Sequence, residues 1–315
     1  SKKEVADWYR AVAMTGETSE AFTVTKNGVE LEIIDEKKLN KIDHNVKTYK
    51  KALYSPNTAT VDPVEVNQAI KKEIELKGVK ILFSESYISK GDNQFIKTTN
   101  HKQIFYKTLI NTAGLYADTI AKDFGFSKDY TIIPFKGNYL KYTGLDKPVS
   151  INVYPVPNLK NPFLGVHFTL TVNNEIKIGP TSSPAFWREN YVGLKRFKLS
   201  EFFNILFWEA KLFLSNSFNF RDLAIDEVKK FNRKYFTSLT RHMVKSIDHD
   251  KFNKWIKPGI RAQLLNIKTK ELVMDFVVEG DNKTVHVLNA VSPAFTCCFP
   301  FAKWVVKNFV YNKNL

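Results

Sequence analysis

Thr108-Leu109-Ile110-Asn111-Thr112-Ala113-Gly114-Leu115-Tyr116-Ala117-Asp118 passes from an apolar, β-branched run through small residues into a helical pattern that continues to Phe124. Gly125 stands where such a helix would stop. A buried strand, a tight turn and a helix is the reading. In an open α/β sheet, ligands bind beyond the carboxyl ends of strands, where helix N-termini offer N–H groups. Thr112, Ala113 and Gly114 have small side chains that let a flat or charged ligand approach their backbone. The plainer reading is a βα turn that needed room to pack, and this segment alone favours it.

The flanking sequence extends the α/β pattern. Asp62-Pro63-Val64-Glu65 is an N-terminal capping sequence. It is followed by a helix with Val66, Ala69, Ile70 and Ile74 on its apolar face and Gly78 as its stop. Val79–Phe83, Tyr87–Ser89, Gln94–Thr99 and Gln103–Asn111 are strand-like, with a turn at Gly91-Asp92-Asn93. From about residue 131 short strands with Pro-rich joints follow, among them Phe163–Thr169 and Glu175–Ile178, which predicts an antiparallel sheet in a second domain. Residues 1–20 and 199–247 read as helical. In the latter, Phe202, Phe203, Leu206, Phe207, Ala210, Phe213 and Leu214 form a broad face. Burial against the sheet is the expectation for that face. Membrane contact is the alternative, given Lys195, Lys198 and Lys211 nearby. Pro258-Gly259 is expected to end the helical region before strands at Ile260–Leu265, Leu272–Val278 and Thr284–Asn289. Ser292-Pro293 is then placed to cap a last helix, Ala294 to Val310.

Composition narrows the classes. The 315 residues are 43% hydrophobic and 25% charged, as in a globular protein with room for two domains. No apolar run is long enough to span a bilayer. The two cysteines, Cys297 and Cys298, are adjacent, which argues against a disulfide framework or zinc site and for a reducing compartment. The net charge of +15 comes from scattered lysines without any nucleic-acid-binding motif. The 13 glycines never form Gly-x-Gly, so neither a dinucleotide fingerprint nor a phosphate loop is present.

Chemistry-bearing candidates are few. His167 lies on a strand, placed to act as a base, although a lone strand histidine is more often a hydrogen-bonded structural residue. Arg261, on an apolar strand, needs an anionic partner: a ligand, or Asp275 or Glu279 on the next strand. Lys136, before Gly137, is a second anion-binding candidate. No metal-ligand spacing or nucleophile elbow occurs, and the metal expectation is none.

Several segments together resemble the FAD-dependent oxidoreductases of the D-amino-acid-oxidase superfamily, in the L-2-hydroxyglutarate dehydrogenase/oxidase branch. They are Leu53–Pro63, Asn111–Asp118, Pro134-Phe135-Lys136-Gly137, Val153–Pro157, Pro162–Thr169, Ile178-Gly179-Pro180, Gly259–Gln263 and His286–Ala294, in an order that runs nearly the whole chain. The resemblance implies an α/β fold with an α+β substrate domain: an incomplete, Rossmann-like FAD-binding domain plus an antiparallel-sheet substrate domain. The implied parts are 1–49 (substrate domain and connection), 50–130 (FAD-binding), 131–257 (substrate) and 258–315 (FAD-binding, C-terminal). FAD is the implied cofactor, contacted by Thr112, Ala113, Gly114, Leu115, Gly137, Ser292, Pro293, Ala294, Phe295 and Thr296. The last five would aim a helix N-terminus at the flavin ring. His167 would be the catalytic base, and Arg261, Lys136 and Tyr139 the substrate contacts.

The implied reaction oxidises a small 2-hydroxy acid, foremost L-2-hydroxyglutarate, to the 2-oxo acid. Oxygen, a quinone or a carrier protein is the acceptor. The expected location is cytoplasmic, with peripheral membrane contact left open, and nucleic acid is not an expected partner. Three departures stand out. The family's N-terminal βαβ unit with Gly-x-Gly-x-x-Gly is missing, which predicts an N-terminally incomplete chain. Asn138 stands where an acid is expected, and Leu170-Thr171 where Pro-Arg is expected. A related hydroxy-acid or amino-acid oxidase, and a non-catalytic binding module, remain the alternatives.

Overall fold

The computed structural model describes residues 30–156, 165–291 and 293–311. The expected N-terminal helix, Pro157, Asn161-Pro162, the start of the Phe163–Thr169 strand and Ser292 lie outside the described residues. In chain order the elements begin with β1 (Glu32–Asp35), α1 (Glu36–Ile42), β2 (Lys51–Tyr54), α2 (Pro63–Leu76), β3 (Tyr87–Lys90), β4 (Phe95–Thr98) and β5 (Gln103–Phe105). Next come β6 (Leu109–Asn111), α3 (Ala117–Asp123), β7 (Tyr130–Tyr142), β8 (His167–Leu170), β9 (Ile176–Gly179) and β10 (Ser183–Pro184). The helices α4 (Leu199–Ser215), α5 (Phe220–Lys229) and α6 (Arg233–Ser238) follow. The chain closes with β11 (Phe252–Asn266), β12 (Glu271–Leu272), β13 (Val277–Gly280), β14 (Thr284–Asn289) and α7 (Cys298–Val305).

The described residues fall into two compact units, those within 1–74, 136–183 and 221–259 forming the first, and those within 75–135, 184–220 and 260–315 the second. The chain passes from one to the other at Ile74/Glu75, Phe135/Lys136, Ser183/Pro184, Phe220/Arg221 and Gly259/Ile260. Residues 50–74 belong to the first unit and 184–220, including α4, to the second.

In the first unit β9 pairs antiparallel with β8 and with the end of β7. Side chains alternate across this sheet. Leu140, Tyr142, Phe168, Ile176 and Ile178 enter a core shared with Ile34, Leu39, Phe236 and Phe252. Phe168, Leu140 and Ile178 are fully buried, each contributing about 1.5–3 kcal/mol of transfer free energy. His167, Thr169, Lys177, Gly179, Tyr139 and Lys141 alternate with them, on the opposite face.

In the second unit β6 pairs parallel with β14, which pairs antiparallel with β13. Helix α3 packs on this sheet through Ala117 and Ala121, against Ile132, Leu264 and Leu288. The strands β3, β4 and β5 form a separate antiparallel meander. The opening segment thus forms the expected strand, turn and helix, with Gly125 at φ +89° ending it.

Several expectations change. Val79–Phe83 forms no strand: Val79 and Phe83 are exposed, and the segment joins no ladder among the described residues. Asp62 caps α2 as read, accepting from the Val64 N–H at 2.7 Å. On that helix Val66, Ile70 and Ile74 are half-buried and Ala69 is exposed. Pro258-Gly259 is not a break, since β11 already starts at Phe252 and runs through it. The face of α4 built from Phe203, Leu206, Phe207, Ala210, Phe213 and Leu214 points to solvent. Ile205, Glu209 and Leu212 are the buried positions.

Candidate functional site

Asn111 organises the turn after β6. Its Oδ1 accepts from the Ala113 N–H at 3.1 Å, while its Nδ2 donates to the Ala117 carbonyl at 2.9 Å and to His286 Nδ1 at 3.1 Å. One buried side chain therefore shapes the turn, holds the start of α3 and ties β6 to its register partner on β14. His286, fully buried between Phe124 and Phe126, is neutral. Burial pushes its pKa down to about 4. Thr112, Ala113 and Gly114 are exposed, and Leu115 is half-buried against the Ala117–Ala121–Leu288 core. Gly114 has φ +54°, and a Cβ there would meet no heavy atom within 4 Å. That open, side-chain-poor ledge fits a flat group lying against the backbone.

Beneath the ledge is an ion pair that sequence reading missed. Arg188 clamps Asp118 through two hydrogen bonds, of 2.7 and 3.0 Å, and also donates to the Leu115 carbonyl. Both side chains are buried, and Asp118 also accepts from the Ile132 N–H at 3.1 Å. A bidentate geometry with the remaining lone pairs engaged is what a buried pair needs to offset its desolvation. A cavity of about 700 Å³ beside it is lined by Ala113, Tyr116, Arg188, Glu189, Lys198 and Glu201, among others. Lining charges are paired: Lys198 with Glu201, and Glu189 with Arg196 outside the lining.

In the first unit His167 is 5% exposed and stacks on Tyr154 with centroids 4.4 Å apart. Its Nδ1 lies 2.9 Å from the Gly165 carbonyl oxygen. A carbonyl only accepts, so Nδ1 carries the proton and Nε2 the lone pair. Gly179 is the register partner of His167. The Tyr139 ring lies against Gly179, since a Cβ there would come within 2.5 Å of Tyr139 Cδ1. Lys136 is half-buried, and burial pulls its pKa down. Gly137 is buried, 3.2 Å from Pro180 Cβ when a Cβ is placed on it. His167, Tyr139, Lys136 and Gly137 thus belong to one sheet region of the first unit. Arg261, Thr112–Leu115 and Pro293–Thr296 belong to the second.

Arg261 is exposed on β11. Of the two carboxylates offered as its partners, Glu279 accepts from the Ser127 N–H at 2.6 Å and Asp275 from the Phe276 N–H at 2.7 Å. The last helix departs from expectation. Pro293, Ala294, Phe295 and Thr296 form a turn closed by Ala294, Thr296 and Cys297 N–H groups donating to the carbonyls of Val291 and Pro293. Helix α7 starts only at Cys298. The Ala294, Thr296 and Cys297 N–H groups are engaged within this turn.

The model of the family described as FAD dependent oxidoreductase matches residues 2–307. The chain belongs to this family. Its sequence is 31% identical to an L-2-hydroxyglutarate dehydrogenase of Caenorhabditis briggsae, a mitochondrial protein, over 89% of this chain and 67% of the relative. Another L-2-hydroxyglutarate dehydrogenase, from Indibacter alkaliphilus, is 30% identical over 82% of this chain and 66% of the relative. The chain thus spans about two thirds of the length of these relatives. A solved L-α-glycerophosphate oxidase from Mycoplasma pneumoniae, with FAD bound, shares the fold with a TM-score of 0.60. It is 17% identical, with 98% of this chain and 70% of that one covered. The family membership explains why so many weak segments recur in order. It also accounts for the mixed architecture, a parallel β6–β14 pair in one unit and an antiparallel sheet in the other.

Proposed function

We propose that the protein oxidises a 2-hydroxy acid to the corresponding 2-oxo acid with FAD as oxidant, and that the acid is L-2-hydroxyglutarate. The observation that carries the reading is the fixed tautomer of His167. With Nδ1–H donating to the Gly165 carbonyl, Nε2 is the basic nitrogen. His167 is a general base that takes the substrate hydroxyl proton at Nε2. FAD, when bound, supplies the acceptor for the hydrogen leaving C2 as hydride. The exposed ledge of Thr112, Ala113 and Gly114 would hold the flat part of FAD, with Leu115 beneath it and Gly137 and the 293–296 turn as further contacts. Arg261 binds the substrate carboxylate adjacent to C2, and Lys136 and Tyr139 complete the substrate contacts. The pyrophosphate-binding Gly-x-Gly-x-x-Gly turn is not among these 315 residues. FAD binding to the 315-residue chain is therefore part of the proposal.

Kinetics of the FAD-loaded enzyme test it. His167→Ala lowers kcat by about 10²–10⁴-fold with little change in KM. Arg261→Ala raises KM by about ten-fold or more as well as lowering kcat/KM. Unchanged kinetics in both variants would reject these roles. The solvent-facing stripe of α4 supports a peripheral contact with an anionic bilayer, where a quinone would be the electron acceptor.

A further inference from the structure

The face of the β8–β9–β7 sheet that carries His167 also carries two lysines, Lys141 and Lys177. Antiparallel register sets Lys177 opposite both Thr169 and Lys141. With Gly179 opposite His167, Lys177 and His167 are diagonal neighbours across one strand gap, with Cα atoms about 7–8 Å apart. The two lysines differ in their surroundings. Lys141 is ion-paired with Glu175. Lys177 makes no ion pair among the described residues, and its ammonium sits 4.7 Å from the centroid of the Tyr139 ring. Half-burial pulls its pKa down, with Glu175 opposing that only at a distance. A partly desolvated ammonium resting on a π face is short of counter-charge.

Gly179 makes room for the Tyr139 ring. Its φ is +150°, and a Cβ would strike the Tyr139 ring and the Asn138 carbonyl, at 2.5 and 2.8 Å. Without a side chain there, the Tyr139 ring packs over Gly179, the register partner of His167, and meets the Lys177 ammonium from that position.

Resting on the reading of His167 as the base, we propose that Lys177, seated on Tyr139, binds the anionic group at the far end of the substrate. Lys177 then determines specificity: it selects substrates with a second oxyanion, carboxylate or phosphate, beyond the carbon that is oxidised. A lysine is a mobile point charge that accepts either.

The test uses the FAD-loaded enzyme with L-2-hydroxyglutarate, L-2-hydroxyvalerate (a methyl in place of the far carboxylate) and glycerol 3-phosphate. Lys177→Met is expected to raise KM for L-2-hydroxyglutarate by about ten-fold or more, to leave kcat/KM for L-2-hydroxyvalerate unchanged, and to be partly rescued by Lys177→Arg. A selective effect on glycerol 3-phosphate instead would identify phosphate as the oxyanion; the L-2-hydroxyglutarate reading would then fail while the role of Lys177 stood. Equal effects on the charged and uncharged acids, or none, would overturn the role. Calorimetric binding of glutarate gives a readout independent of turnover. At least about ten-fold weaker binding to Lys177→Met than to the unsubstituted protein supports the proposal. Equal binding, or no binding to either, refutes it.

Discussion

Asn111 shows how one residue can be written plainly in a sequence while its job stays hidden. The small residues after it mark the turn. Its hydrogen bonds with Ala113 and Ala117 are local, but the one to His286 becomes visible only once β14, 175 positions away, lies alongside. Asn111→Leu leaves those buried groups unpaired and should cost about 2–4 kcal/mol, read from the urea midpoint. Asn111→Asp sets a carboxylate against His286 Nδ1 and should raise the His286 pKa well above its value of about 4, as followed by NMR titration. An unmoved titration would show that the contact does not exist in solution.

Glu209 is the other residue with a clear prediction. Its Oε1 is buried without a hydrogen-bond partner among the described residues, and burial pushes its pKa up to about 8 from 4.5. Below pH 4.5 both folded and unfolded carboxyls are protonated. Between about pH 4.5 and 8 only the unfolded one ionises, so stability falls by up to about 1.4 kcal/mol per pH unit. Glu209→Gln should abolish that slope and leave the protein more stable than the original at pH 8. Parallel pH profiles would contradict it.

Among the elements, α4 was the hardest to read. Successive helical residues turn by about 100°, which puts Leu199, Phe203, Leu206, Phe207, Ala210, Phe213 and Leu214 within about 120° of arc. The sequence shows that stripe but not which side of the helix meets the core. The structure buries Ile205, Glu209 and Leu212 instead, leaving Phe203 59%, Phe207 58% and Leu214 75% exposed. Lys211 lies over the Trp208 ring at 4.8 Å, so its stem covers apolar surface while its charge stays outside. No helix among the described residues is long and apolar enough to cross a membrane. Such a stripe beside Lys195 and Lys198 predicts flotation with phosphatidylcholine–phosphatidylglycerol vesicles. The double variant Phe203→Glu/Phe207→Glu should stay in the soluble fraction. Wild-type protein that does not float would remove the membrane contact and weaken the case for a quinone acceptor. At this scale α2 and β14 were legible from caps and apolar runs. Val79–Phe83 was not, because an apolar run specifies a strand only when a neighbour supplies the ladder.

Across the whole molecule, two kinds of residue proved unequal in legibility. Those in compact motifs, such as Thr112–Leu115 and His167, could be singled out because neighbouring residues define their backbone. Arg188 could not, because its meaning is a bond to Asp118, 70 positions away, in a stretch without any motif. Lys177 was missed for the same reason: its place on the His167 face exists only through strand register. The architecture, two units each assembled from three separated stretches, likewise shows in the order of weak segments rather than in any one of them. The proposed activity is the FAD-dependent oxidation of a 2-hydroxy acid. Its most direct test is the visible absorbance spectrum of the purified protein after incubation with FAD and removal of the excess, before and after anaerobic addition of L-2-hydroxyglutarate. Flavin bands should be retained and should bleach when the acid is added. A protein that keeps no flavin, or a bound flavin that stays oxidised in the presence of the acid, would contradict it.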